Sequence, residues 1–288
     1  MKVVIDKAAG FCPGVKRAIK KAEKELRKGE TLASYGSILH NELEMQRLKD
    51  CGLVLAGKDD FPKLSGKKLL FRAHGEPPSN YALAGDNNVE VLDATCGVVR
   101  RLQQKVKEAA AEMEEAGGQV VIYGKPMHPE VIGLMGQIKD RGIVVSAVDD
   151  LDKIDPAKPM RLFSQTTMDQ NSFNELSALL EDKLRAAGNN DFISYNTICR
   201  HVLNRIPSLS AFAARHDVII FVSGRESSNG NKLYRISKAI NSRTYFISDA
   251  AELEAGWFSG AGTVGVSGAA STPEWLMKEV ARKIKEIS

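Results

Sequence analysis

No run of apolar residues in this 288-residue sequence is long enough to span a bilayer: stretches such as "VVI" at 3–5 and "VII" at 218–220 fall far short of the roughly 20 residues a membrane helix needs. A secretory leader is missing as well, because "MKVVIDKAAGFCPG" has an apolar run of three followed by Asp6 and Lys7. A cytoplasmic location is therefore expected. Strong charge bias is absent too. The 40 basic and 36 acidic residues leave a net +4, too little at this length to argue for nucleic acid, and many of the basic residues lie on helical faces mixed with glutamate. The paired C-x-x-C knuckles of a structural zinc site are also lacking. Cys12, Cys51, Cys96 and Cys199 stand far apart, and in a reducing compartment they are not expected to form disulfides. Metal binding, catalysis or simple burial remain.

What is present is a pattern that repeats three times. Short apolar runs alternate with longer stretches of 3.6-residue periodicity, such as Val15, Ala18, Ile19, Ala22 and Leu26, which is the signature of parallel α/β units. The apolar runs fall into three groups of four: 2–6, 31–36, 52–57 and 68–73; then 89–94, 119–124, 142–147 and 160–165; then 192–197, 218–224, 244–248 and 263–268. A cysteine follows the first run of each group: Cys12, Cys96, Cys199. A polar cluster follows the second, 28, 32 and 28 residues beyond the cysteine: His40 with Asn41, His128 with Glu130, and Ser227, Ser228 and Asn229. Another follows the fourth, 62, 71 and 72 residues beyond it: His74, then Thr166 with Thr167, then Ser271 with Thr272. The expected fold class is α/β, with three related units (1–95, 96–194 and 195–288), each built on a mainly parallel four-stranded sheet with ligand-binding loops at the carboxyl ends of its strands. If the units surround a pseudo-threefold axis, the three cysteines converge.

Three converging thiolates suit an iron–sulfur cluster better than zinc. A four-iron cluster normally takes four cysteines, so a set of three leaves one iron open as a Lewis acid. The polar loops have local readings as well. Ser271 to Glu274, "STPE", and Thr167 to Gln170, "TMDQ", both fit capping boxes. Cys51 reads as a small buried hydrophobe before Gly52 at a helix end. Glu130 reads either as a first-turn acid favoured by the helix dipole or as a proton donor with a raised pKa. "SGRESSNGNK" supplies glycine, hydroxyls and an amide suited to phosphate oxygens, and His40, His74 and His128 suit a diphosphate.

Taken in order, "GFCPGVKRAI", "GSILHNE", "AHGEPP", "DATCGVV", "HPEVIGLMGQ", "SQTT", "NTIC", "SSNGNKL" and "GAASTPEWL" closely resemble one family, the 4-hydroxy-3-methylbut-2-enyl diphosphate reductases of the non-mevalonate isoprenoid pathway. The motifs run from residue 11 to residue 279. The resemblance implies a trefoil of three α/β domains around one [4Fe–4S] cluster held by Cys12, Cys96 and Cys199 with one iron open. It assigns His40, His74, His128, Ser227, Ser228, Asn229 and Ser271 to the diphosphate, and Thr167 and Glu130 to the substrate hydroxyl and proton delivery. It also implies a monomer fed electrons by ferredoxin or flavodoxin with its reductase, and no nucleic-acid or membrane partner. The implied reaction removes the 4-hydroxyl with two electrons and two protons, giving isopentenyl and dimethylallyl diphosphates. Two features depart from the pattern. "RHVLNRIPSLS" follows Cys199 where many relatives read "ATxxRQ", so a threonine is missing, and Pro129 stands where a valine is frequent. A non-redox hydro-lyase using an open iron is the competing reading, and a cysteine-based sensor a third.

Overall fold

The computed structural model describes residues 1–287, except for the side chain of Ser228. Among the described residues the strands form three four-stranded sheets, alternating with helices along the chain, so the expected α/β class is the one adopted. Among the described residues no helix is long and apolar enough to cross a membrane. The chain divides into two compact units, one made of Met1–Leu55 with Leu203–Ser288 and the other of Ala56–Val202.

In the first unit the two ends of the chain share one parallel sheet. Strand β1 (Lys2–Ile5) lies on β12 (Thr263–Gly268), and β10 (Val218–Val222) joins β12 to β11 (Thr244–Ile247). The central strand β10 is buried on both faces, which explains its unbroken apolar run. Val218, Ile220 and Val222 pack with Leu276, Met277, Val280 and Ile284 of α9 (Glu274–Ile287). Ile219 and Phe221 turn the other way, towards Phe212 and Leu209 of α7 (Arg200–Ala213) and Leu233 of α8 (Ser228–Ile240). The same unit holds α1 (Pro13–Leu26), β2 (Leu32–Tyr35) and α2 (Glu42–Asp50). Glu44 is buried between elements, accepting from Arg47 on its own helix and from Trp275 Nε1 at 2.7 Å on α9.

A buried ion pair ties α7 to the sheet. Arg205 donates to Asp6 Oδ2 at 2.8 Å, to Ser267 Oγ at 2.7 Å and to the Gly268 carbonyl at 3.0 Å. Ser267 Oγ in turn donates to Asp6 Oδ2 at 2.8 Å. A buried pair is tolerable because both charges have several partners, whereas removal of one partner alone costs about 3–5 kcal/mol.

In the second unit β6 (Gln119–Tyr123) is flanked by β7 (Ile143–Val145) and β8 (Met160–Ser164), and β9 (Phe192–Tyr195) lies on β8, all parallel. Leu102, Val106, Ala109 and Met113 of α4 (Gly97–Glu115), at helical spacing, cover Val120, Ile122 and Phe163 together with Leu134 of α5 (Pro129–Gln137). Also here are β4 (Lys68–Phe71), α3 (Pro78–Asp86), β5 (Glu90–Asp93), in parallel register with β4, and α6 (Gln170–Ala186).

The grouping of strands differs from the sequence reading by one position. The strand before each cysteine does not start a new sheet but pairs with the strand that precedes it in the cycle: β5 with β4, β9 with β8, and β1 with β12. A parallel crossover through a single helix returns the chain to the neighbouring position, so the short α3 and the longer α6 each place the next strand beside the last.

The approach of α7 to β12 requires glycine at 265. A Cβ there would lie 2.6 Å from Phe212 Cε1 and 2.8 Å from Ile219 Cδ1. Gly265→Ala is expected to lower stability by about 1–3 kcal/mol in urea denaturation. Gly85→Ala, where an added Cβ meets no heavy atom within 4 Å, should be neutral or slightly stabilising.

Candidate active site

Two of the three equivalent cysteines occupy the N-cap position of a helix: Cys12 of α1 and Cys96 of α4, neither with a side-chain capping hydrogen bond. Cys199 directly precedes α7. All three are half-buried and none of the chain's four cysteines is in a disulfide. Neighbouring loops hold them by the backbone: Cys96 N donates to the Ala73 carbonyl at 3.0 Å, and Cys199 N to the Thr166 carbonyl at 2.9 Å. Each of these cysteines therefore hangs from the loop that leaves the adjacent fourth strand. Asp93 does the local capping expected beside Cys96, accepting from Thr95 N at 2.7 Å. Among the described residues no three or more His, Cys, Asp and Glu side chains already form a group that could hold a metal ion.

In the second unit the loops after β4, β6 and β8 meet around a carboxyl group. Glu130, in the first turn of α5, is 2% exposed. Its Oε1 accepts from Thr166 N at 2.6 Å and its Oε2 from Thr166 Oγ1 at 2.7 Å. Burial and these donors oppose one another: the two hydrogen bonds favour the ionised carboxylate, burial favours the neutral acid, and burial is the larger, so the pKa of Glu130 is raised. His128 caps the same helix, its Nδ1 accepting from Glu130 N at 3.1 Å, so the neutral ring carries its proton on Nε2. The His74 and His128 rings meet edge to face with centroids 5.4 Å apart.

Small residues on α5 permit that meeting. A Cβ on Gly133 would lie 2.9 Å from the Gly75 carbonyl oxygen, and one on Gly136 would lie 2.3 Å from Pro77 Cβ. The "HGEPP" loop thus rests directly on the helix that carries Glu130. Within this loop Glu76 also has a raised pKa, burial outweighing the Arg72 charge and the Asn80 hydrogen bond.

In the first unit a second set of loops gathers. Asn41 caps α2, accepting from Glu44 N at 3.0 Å, and places exposed His40 just before it. The loop after β10 lies against this turn, since a Cβ on Gly224 would be 2.8 Å from the His40 carbonyl oxygen. Ser227 caps α8, accepting from Gly230 N at 3.1 Å, and Asn229 is exposed on its first turn. The side chain of Ser228 lies outside the described residues. Gly10, two residues before Cys12, approaches the Thr272 carbonyl, which borders Ser271. The Ser271 hydroxyl is buried with no hydrogen-bond partner among the described residues. A buried hydroxyl with no protein partner fits a ligand oxygen.

Several local expectations are overturned. The cap of α6 is Asp169, accepting from Asn171 N and Ser172 N, and not Thr167. A carboxylate two residues closer to the helix displaces the hydroxyl. Thr167 is exposed and accepts from Gln165 Nε2 at 2.8 Å, so the threonine in contact with Glu130 is Thr166. Gln165 was missed as a site residue: its Oε1 also accepts from Lys125 N at 3.0 Å, joining the loops after β6 and β8. Ser271 does not cap α9 either: its hydroxyl has no partner among the described residues, while Thr272 Oγ1 accepts from Ala269 N and donates to the Val222 carbonyl. Cys51 is exposed, not buried. It is the C-cap residue of α2, and the left-handed turn at Gly52 (φ 102°) leaves its side chain in solvent.

Comparison with known proteins shows the family of the chain. Residues 3–285 match the family model described as LytB protein. A 4-hydroxy-3-methylbut-2-enyl diphosphate reductase of Parabacteroides distasonis is 46% identical over 288 residues, covering 100% of this chain and 99% of the relative. The enzyme of that name from Bacteroides fragilis is 45% identical over 285 residues, covering 99% and 98%. A solved structure of (E)-4-hydroxy-3-methyl-but-2-enyl diphosphate reductase, described as the terminal enzyme of the non-mevalonate pathway, superposes with a TM-score of 0.78 at 35% identity, covering 99% of this chain and 100% of that one. The E-1-hydroxy-2-methyl-but-2-enyl-4-diphosphate reductase of Plasmodium falciparum gives 0.79 at 25% identity, covering 98% and 87%.

Because its folded pKa is raised, Glu130 contributes stability that is fully present below the unfolded value of about 4.3 and is lost as pH rises through the folded value. Carbon-13 NMR titration of glutamate-labelled protein should therefore show one carboxyl titrating above the ordinary range, absent in Glu130→Gln. In Thr166→Val, which deletes the hydroxyl donor, that carboxyl should titrate higher still; a resonance at the ordinary glutamate position would contradict the assignment.

Proposed function

The chain belongs to the LytB protein family, and we propose that it is a 4-hydroxy-3-methylbut-2-enyl diphosphate reductase, which replaces the substrate's 4-hydroxyl by hydrogen using two electrons and two protons and releases water with isopentenyl and dimethylallyl diphosphates. The observation that carries this reading is Glu130: a buried carboxyl with a raised pKa, gripped by Thr166 and set beside His128 at the start of α5, against whose ring His74 packs. Such a group holds a proton where an ordinary glutamate has lost it, and can deliver it to a leaving hydroxyl.

Cys12, Cys96 and Cys199 would hold an iron–sulfur cluster, their positions at helix starts, where the dipole favours negative charge, suiting an anionic ligand set. When bound, such a cluster with three cysteine ligands supplies electrons one at a time and one open iron as a Lewis acid for the hydroxyl. Thr166 fixes both oxygens of Glu130, so the acid presents one orientation to the substrate. His128 and His74 donate to the diphosphate, with His40, Ser227, Ser228, Asn229 and Ser271 completing its shell by hydroxyl, amide and imidazole donors. Thr167, exposed at the same strand end, would position the substrate hydroxyl, and Gln165, which donates to it, ties this loop to the one after β6.

Anaerobic purification followed by iron and sulfide analysis should give a brown protein. Cys96→Ser is expected to lose both colour and turnover, while Cys51→Ser, at an exposed helix end, keeps both. Glu130→Gln should keep its iron and lose turnover by about 10²-fold or more. Two reducing equivalents should disappear per product formed; hydration or dehydration without reductant would replace the reductase reading by a hydro-lyase. Gly133→Ala, which pushes the His74 loop off α5, should raise KM for the diphosphate more than it lowers kcat.

A further inference from the structure

We propose that the exposed basic face of α1 is the docking surface for an acidic protein that brings electrons to the site, an inference that rests on the reductase reading. From Pro13 to Ala22 this helix carries Lys16, Arg17, Lys20 and Lys21 and no acidic residue, and its first turn contains no acid. Lys16, Arg17, Lys20 and Lys24 are exposed. With Pro13 and Lys21 they line one shallow surface hollow. Ion pairs at its far end join Arg27 to Glu23 and Lys28 to Glu25, and the charge of Lys16 lies near Glu274 of α9. Exposed ion pairs occur on some other helices, as in Arg185 with Glu181, Lys278 with Glu274 and Arg282 with Glu286.

Helix stability does not account for this distribution. Cations in the first turn oppose the helix dipole, and the spacings Lys16–Lys20–Lys24 and Arg17–Lys21 put like charges one turn apart, where they repel. The apolar face, with Ala18, Ile19, Ala22 and Leu26, already anchors the helix. What the basic face gains is position. Cys12 is the N-cap residue of this helix, so at a rise of about 1.5 Å per residue the stripe runs from roughly 6 to roughly 18 Å beyond it along the axis. The two electrons of each turnover must come from outside the chain. A carrier protein bearing carboxylates around its redox centre would be steered onto this stripe, and towards Cys12, by charge complementarity.

The test uses the holoenzyme with an acidic plant-type [2Fe–2S] ferredoxin and its reductase as donor, and separately with reduced methyl viologen. Lys20→Glu/Lys24→Glu is expected to raise KM for ferredoxin about tenfold or more at low salt, to flatten its salt dependence, and to leave viologen-driven kcat within about twofold. Lys278→Glu/Arg282→Glu on α9 makes the same change in net charge and should leave the ferredoxin KM within about twofold. Equal losses with both donors, or an unchanged ferredoxin KM, would overturn the proposal. So would an unchanged ferredoxin KM accompanied by lost binding to phosphatidylserine vesicles, which would give the face to a membrane. Titration calorimetry with oxidised ferredoxin separates this result from the reductase reading. A wild-type enzyme that binds ferredoxin and a double variant that does not support the surface even if no turnover is found; equal binding by both rejects it.

Discussion

Parallel strand pairing is the constraint on which the rest depends. In a parallel sheet all strands end at the same edge, so the loops that leave neighbouring strands emerge side by side. The pairing of β8 with β9 and of β4 with β5 brings each cysteine next to the loop after the adjacent fourth strand, and the backbone bonds from Cys96 to Ala73 and from Cys199 to Thr166 follow from that adjacency. Ser271 and the Cys12 loop stand in the same relation through β12 and β1. Chemistry-bearing side chains could therefore be placed on short loops without long excursions of the chain.

Rigidity at these strand ends comes from polar contacts as much as from packing. Arg205, six residues after Cys199, reaches Asp6 beyond β1 and Ser267 and Gly268 at the end of β12. One guanidinium thus spans the root of the Cys12 loop and the root of the Ser271 loop. Its planar fork can satisfy several acceptors at once, which a lysine ammonium does less well. Glu44 plays a comparable part at the base of the His40 turn, joining α2 to Trp275 of α9.

Much of this was legible in the sequence because periodicity and spacing are local. The alternation of apolar runs and helical stretches marked the strands and helices, and the recurrence of Cys12, Cys96 and Cys199 marked the site loops. Which sheet an edge strand joins was not legible, because β1 is chosen by β12, more than 250 residues away in sequence. The contact between Thr166 and Glu130 was not legible for a related reason. Adjacent threonines in "SQTT" look equivalent in sequence, and only the direction of the strand end decides which one faces Glu130. Cap motifs misled at "TMDQ" and "STPE" because nearer residues, Asp169 and Thr272, took the local bonds. The raised pKa of Glu130 was foreseen in direction, but its largest cause, burial, depends on packing that the sequence does not display.

The pairing of the first strand with the last also sets the order in which a growing chain can become structured. Residues 56–202 form a compact unit from one continuous segment, so its sheet can close as soon as that segment has left the ribosome. The other unit cannot. Lys2 to Ile5 find their partners only when Thr263 to Val266 have been synthesised, so this segment waits through more than 250 further residues with one sheet edge unmade. Loop-closure entropy over that separation opposes early pairing, and it leaves Cys12 beside an unfinished sheet until β12 has been made.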